Sequence, residues 1–103
     1  MKKMIILGAA FFFMVLTHVV MAGDAAKGGE KAEIICQNCH GPEGVGGKNH
    51  LWPKLKGQQA PYIIKQLEAF KSGERKDPAM NAVAAGLSDS DIENLAAYYN
   101  SLK

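Results

Sequence analysis

Only two cysteines occur in the 103 residues, and they stand together as Cys36-Gln37-Asn38-Cys39, followed at once by His40. No other feature restricts the possible folds as much. C-x-x-C-H is the haem-attachment pattern. Each thiol adds to one haem vinyl group to give a thioether. Two intervening residues on a helical turn set the sulfurs at the spacing of the vinyls, and the next residue lies under the iron, where its imidazole can bind from the proximal side. The other uses of such a pair fit less well. A thioredoxin-like redox pair follows a strand, and no strand pattern precedes Cys36. A zinc site needs two more ligands at close spacing. A simple disulfide leaves His40 unexplained. The pair therefore points to one haem c, attached through Cys36 and Cys39, with His40 as an iron ligand.

The start of the chain reads as a leader. Lys2 and Lys3 precede an apolar run from Met4 to Val20, small or branched residues occupy Val20 and Ala22, and Asp24 opens a polar region. This is the layout of a secretory signal peptide covering residues 1–22, with the cut after Ala22. The run contains Gly8, Thr17 and His18 and is short for a spanning helix of about 20 apolar residues, so an uncleaved anchor is the second reading. The expectation is a periplasmic domain, residues 23–103, with no membrane span after cleavage. Cleavage takes Lys2 and Lys3 from the twelve basic residues and leaves ten, equal to the ten acidic ones. With no basic run, and with Arg75 beside Glu74 and near Asp77, nucleic-acid binding is excluded. A domain of this size buries little surface and needs a staple, which the haem provides.

An electron-carrying haem iron is closed on both faces, and a His/Met pair raises its potential. Met1, Met4, Met14 and Met21 leave with the leader, so Met80 is the one thioether of the remaining chain. It lies in Lys76-Asp77-Pro78-Ala79-Met80-Asn81, read as a loop, where a core-filling methionine is out of place. His50 is the rival ligand. It follows His40 by only ten positions in a Gly-rich segment, from which the far haem face is hard to reach.

Three helices are predicted. The first runs from an Asp24 N-cap to Cys36, with the small residues Ala25, Gly29, Ala32 and Cys36 on one face. The second runs from Pro61, at the first helical position, to Lys71. It carries Ile63, Ile64, Leu67 and Phe70 as its stripe and stops at Ser72-Gly73. The third starts at Ser88 with Asp91 completing a capping box, and buries Ile92, Leu95, Ala96, Tyr99 and Leu102. A shorter turn is expected over Asn81 to Ala85, and Gly41 to Gln59 reads as loop. No strand is predicted, so the class is all-α.

At this point the chain resembles the class I c-type cytochromes, above all the small bacterial c-four type and the haem subunits of flavocytochromes. The motifs that carry the likeness are Gly23-Asp24-Ala25-Ala26, Cys36 through Gly41, Pro53-Lys54-Leu55-Lys56-Gly57-Gln58, Phe70 through Arg75, Asp77-Pro78-Ala79-Met80, and Gly86-Leu87-Ser88-Asp89 leading to Leu95-Ala96-Ala97-Tyr98-Tyr99. The resemblance implies a small cytochrome c fold with the first and last helices crossed, and His40 and Met80 as axial ligands. It implies that the Pro53 carbonyl accepts the His40 Nδ1 proton, and that Arg75 and Tyr62 hold haem propionates. The chain departs from the c-four type in having one C-x-x-C-H, where that type carries two haem domains, and in the Gly-rich loop with Lys48 and His50.

The implied function is one-electron transfer between redox protein partners, with no catalysis by this chain alone. The alternative is the electron-accepting haem subunit of a flavin-dependent dehydrogenase. A ligand sensor or peroxidase with an open iron would require Met80 not to bind. Lys48, Lys54, Lys56 and Lys76 fall in the loops expected to frame the haem edge, with the acidic residues elsewhere, which would steer an acidic partner.

Overall fold

In the computed structural model, residues 23–47 and 52–103 are described, together with Gly8. The leader proposed for residues 1–22, apart from Gly8, lies outside the described residues, as do Lys48 and His50.

Asp24 starts the first helix, α1 (Ala25–Ile35), as predicted: its carboxylate accepts from the amides of Ala26 and Lys27, two of the donors that a helix start leaves unpaired. A kink at Cys36 separates α1 from the single turn α2 (Gln37–His40). One turn of 3-10 helix, Pro42–Gly44, follows. Helix α3 (Ala60–Ser72) begins one residue earlier than predicted, so Pro61 takes the second helical position, and Gly73 closes it in the left-handed conformation. Helix α4 (Pro78–Ala85) is longer than the turn expected over Asn81 to Ala85. Helix α5 (Asp89–Ser101) carries the predicted capping box, with Ser88 Oγ accepting from the Asp91 amide and the Asp91 carboxylate accepting from the Ser88 amide, each at 3.0 Å. There is no strand among the described residues.

The most extensive helix packing is α1 across α5. Its tightest contact is Gly28, beside the predicted small-residue face, on which Gly29 also packs against α5, with an added Cβ 3.0 Å from the Tyr98 ring. Gly28 is buried against α5, and a Cβ there would sit 1.9 Å from the Asn94 carbonyl oxygen. The Asn94 side chain accepts from the Asp24 amide at 2.7 Å, and Lys31 pairs with Asp91 at 3.7 Å. Around this crossing the core gathers Ala32, Ile63, Leu87, Ile92, Leu95, Ala96 and Tyr99. The predicted face of α5 is therefore buried, except that Leu102 is half-buried at the helix end.

The loop after α2 folds back on the core through its backbone. Gly44 accepts from the amides of Leu55 and Lys56 at 2.8 and 2.9 Å, and Gly57 donates to the Tyr99 carbonyl at 2.8 Å. Gly44 has φ +66 and lies against the Tyr99 ring, where a Cβ would meet Cε1 at 2.6 Å, so a side chain there is refused on both counts.

Candidate functional site

Several half-buried apolar side chains remain turned toward one another without closing a core. Ile35, Leu55, Leu67 and Val83 line a cleft of about 340 Å³ whose floor holds the buried Ile63, Phe70, Leu87 and Leu95. Three of the buried apolar residues are alanines, Ala32, Ala84 and Ala96. So little aliphatic volume suits a chain whose core is completed by a flat apolar group in this cleft.

Both cysteines and His40 line the cleft. The turn α2 exists because Cys39 and His40 donate their amides back to the Cys36 carbonyl, and Gly41 donates to Gln37. It presents Cys39 exposed and Cys36 half-buried, both as free thiols. Burial pushes the Cys36 thiol up; the facing Tyr99 hydroxyl works against this, and Cys39 adds slightly to it. Tyr99 is itself raised, chiefly by its own burial and then by Cys36.

His40 is 8% exposed, the one buried charged or polar side chain among the described residues. Its Nδ1 donates to the Pro53 carbonyl at 2.8 Å. This bond fixes the tautomer and leaves Nε2 as the free nitrogen, the arrangement by which a ligating imidazole is oriented and made more basic. Pro53 thus occupies the place the resemblance implied for it.

Met80 also lines the cleft and is half-buried, but it does not lie in a loop. Asp77-Pro78 is a helix start, with Asp77 as N-cap accepting from the Met80 amide at 3.0 Å and Pro78 at the first helical position. Asp-Pro suits a loop and a helix N-terminus alike, and here it starts the helix.

Arg75 and Tyr62 both reach the cleft and both are exposed, Tyr62 by 50%. The Arg75 guanidinium donates to Gln66 at 2.8 Å and sits 4.5 Å from the centre of the Phe70 ring, so its charge is held in place at the cleft margin. Gln66 was not singled out in the sequence, nor was Asn81, whose side chain binds three backbone groups around Met80.

The expected basic rim is diluted. Lys54 is exposed and lines the cleft, but Lys56 pairs with Glu43 at 3.7 Å and the Lys76 ammonium donates to the Gly73 carbonyl. Asp77 lines the same cleft. The acidic residues are therefore not confined to the far side.

The residues fit a covalently held haem: two thiols, an oriented imidazole and a thioether share one apolar cleft, with a guanidinium at its margin for an anionic group. Likenesses to known proteins agree. The family described as "Cytochrome C oxidase, cbb3-type, subunit III" matches residues 23–98. Cytochrome c-554(548) of Halomonas halodenitrificans is 43% identical over 78% of this chain and 98% of its own length. Cytochrome c4 of Thiocapsa roseopersicina is 44% identical over 75% of this chain but 39% of its own. The chain thus spans nearly all of the first relative and about two fifths of the second. Among solved structures, reduced cytochrome c4 from Pseudomonas stutzeri superposes with a TM-score of 0.66 at 42% identity, covering 80% of this chain and 52% of that one. Thiosulfate dehydrogenase (TsdBA) from Marichromatium purpuratum gives 0.74 at 35% identity, covering 79% of this chain and 20% of that one. On this fold, this cleft and these relatives, the chain belongs to the class I c-type cytochromes of the c-four kind, electron carriers with haem c as cofactor.

Proposed function

We propose that the mature protein is a periplasmic one-electron carrier, its single haem attached through Cys36 and Cys39 and ligated by His40 and Met80. The observation that carries this is the His40–Pro53 bond in a cleft that Met80 also lines. When bound, haem c supplies reversible one-electron oxidation and reduction. The chain's own residues do the rest. Pro53 holds the imidazole in one tautomer and orientation. Ile63, Leu67, Phe70 and Leu95 keep water from the cleft floor, which favours a small reorganisation on electron transfer. Arg75, steadied by Gln66 and Phe70, and Tyr62 serve as partners for the propionates. No described helix is long and apolar enough to cross a membrane, and residues 1–22 act as a cleaved leader.

A second reading has support from the relatives. A protein of Stutzerimonas stutzeri named thiosulfate dehydrogenase electron acceptor is 36% identical over 82% of this chain and 41% of its own length. On that reading the present chain is the lasting electron acceptor of a dehydrogenase, with the same haem chemistry and a fixed partner.

Both readings share one test at the level of the chain. Protein matured with haem in a periplasm should begin at Gly23, carry the mass of one haem through denaturation, and titrate as a single one-electron couple. Haem lost on denaturation, or a start before Gly23, would contradict the respective part. Purification from the native host separates the readings, since a free carrier elutes alone and an enzyme subunit elutes with its dehydrogenase.

A further inference from the structure

We propose that Asn81 is the positioning residue of the Met80 ligand, holding the first turn of α4 in register so that the thioether faces the cleft. This rests on the reading of Met80 as the sixth ligand.

The two capping arrangements of the molecule show what is unusual here. At α5, the N-cap Ser88 receives the amide of the third helical residue, Asp91, and the Asp91 side chain reaches back to the Ser88 amide. This is the ordinary reciprocal box. At α4, the N-cap Asp77 likewise receives the amide of the third helical residue, which is Met80, at 3.0 Å. A thioether cannot accept the returning bond as a carboxylate does, and here it lines the cleft. The next residue returns it instead: the Asp77 amide donates to Asn81 Oδ1 at 2.9 Å. The box has been lengthened by one residue, which leaves the third position to a ligand.

The rest of the Asn81 amide is also used. Its Nδ2 donates to the Phe70 carbonyl at the end of α3 and to the Arg75 carbonyl in the connecting turn, both at 2.8 Å. The half-buried carboxamide thus spends its acceptor and both its hydrogens on three backbone groups of different segments. Phe70 lies on the cleft floor and Arg75 at its margin, so the same side chain ties Met80 to both. An aliphatic residue at 81 would leave the Arg75 carbonyl and the Asp77 amide to be satisfied by water, and the Phe70 carbonyl with the Gly73 amide alone.

The test uses the haem-loaded protein, with imidazole as the probe that replaces a thioether on ferric iron. Met80→Ala first establishes the ligand, by loss of the far-red charge-transfer band of thioether-bound ferric haem. Asn81→Ala should then keep a haem but weaken that band, and should bind imidazole about tenfold faster or more, on the scale of one to two lost hydrogen bonds. Asn81→Asp, which keeps the acceptor and loses both donors, should shift in the same direction, and it carries the test should the alanine variant not accumulate. Ser88→Ala removes the cap of α5 at a residue that does not itself line the cleft, and should lower the melting temperature while leaving the imidazole rate unchanged. The inference is overturned if both Asn81 variants keep the wild-type rate while Met80→Ala shows that Met80 binds. It is equally overturned if Ser88→Ala accelerates imidazole binding as much as they do, because the effect would then be one of general stability.

Discussion

The two walls of the cleft are built differently. On the His40 wall, the proposed ligand sits at the end of α2, next to both cysteines, is almost fully buried, and is steered by a backbone carbonyl thirteen residues on. The nearby loop is stitched to itself and to α5 by main-chain bonds. On the Met80 wall, an eight-residue helix packs chiefly on α3, and its register depends on the side chains of Asp77 and Asn81. One wall is fixed by backbone bonds, the other by removable side-chain bonds. On the proposed ligation, the difference teaches which ligand is permanent and which can be exchanged. It also makes the walls separately breakable.

The largest effect is expected from removing the staple of the first wall. Cys36→Ala combined with Cys39→Ala should leave a chain that is largely unstructured without haem, because so small a domain buries little aliphatic volume of its own. Circular dichroism would decide this, and a cooperative thermal transition in the haem-free double variant would show that the polypeptide closes its own core. Next comes the frame that carries that wall. In the haem-loaded protein, Gly28→Ala places a methyl group against the Asn94 carbonyl and the Tyr98 Cβ. Pushing α1 from α5 should cost about 3 kcal/mol, the upper end of ordinary overpacking, measured by denaturant unfolding. Wild-type stability would mean that the crossing is looser than described.

The smallest effect is expected at the α5 box. The bond from the Ser88 amide, before the Ser88 hydroxyl and Lys31, holds the Asp91 carboxyl below its ordinary range. A carboxyl depressed in the folded state contributes stability that is fully present above the ordinary aspartate range. That stability is lost as the pH falls through this range toward the folded value. Stability should therefore decline on acidification with a contribution that Asp91→Asn removes, and acid titrations of the two proteins compare them directly. An unchanged acid limb would assign the decline to other carboxylates. Because neither Ser88 nor Asp91 lines the cleft, the spectrum of the haem should not follow this change.

Much of this architecture was legible in the sequence because it is governed by local rules. Asp24, Ser88 with Asp91, and Gly73 punctuate helices through bonds that span only a few residues, and each lies where the sequence placed it. The stripe Ile92, Leu95, Ala96 and Tyr99 is likewise a matter of helical period. The Met80 segment was misread because Asp-Pro serves both turns and helix starts, and only the following residues decide between them. Gly28 makes a tighter contact than Gly29, which also meets Tyr98, because the difference depends on the angle at which α5 crosses. Asn81 escaped notice for a different reason. Its partners at Phe70 and Arg75 are on other segments, and the capping rule looks three residues past the N-cap, where Met80 stands. The basic rim is diluted because sequence counts charges without pairing them, and Glu43 lies beside Lys56 only after the loop has folded.

The central claim, that a haem in this cleft is closed by His40 on one wall and Met80 on the other, is tested most directly by the absorbance spectrum of the oxidised protein before and after Met80→Ala. The wild type should show the far-red charge-transfer band of a thioether-ligated ferric haem, and the variant should lose it, with a lower reduction potential and the covalent haem retained. A wild type without the band, or a variant that keeps it, would contradict the assignment and place another group on the iron.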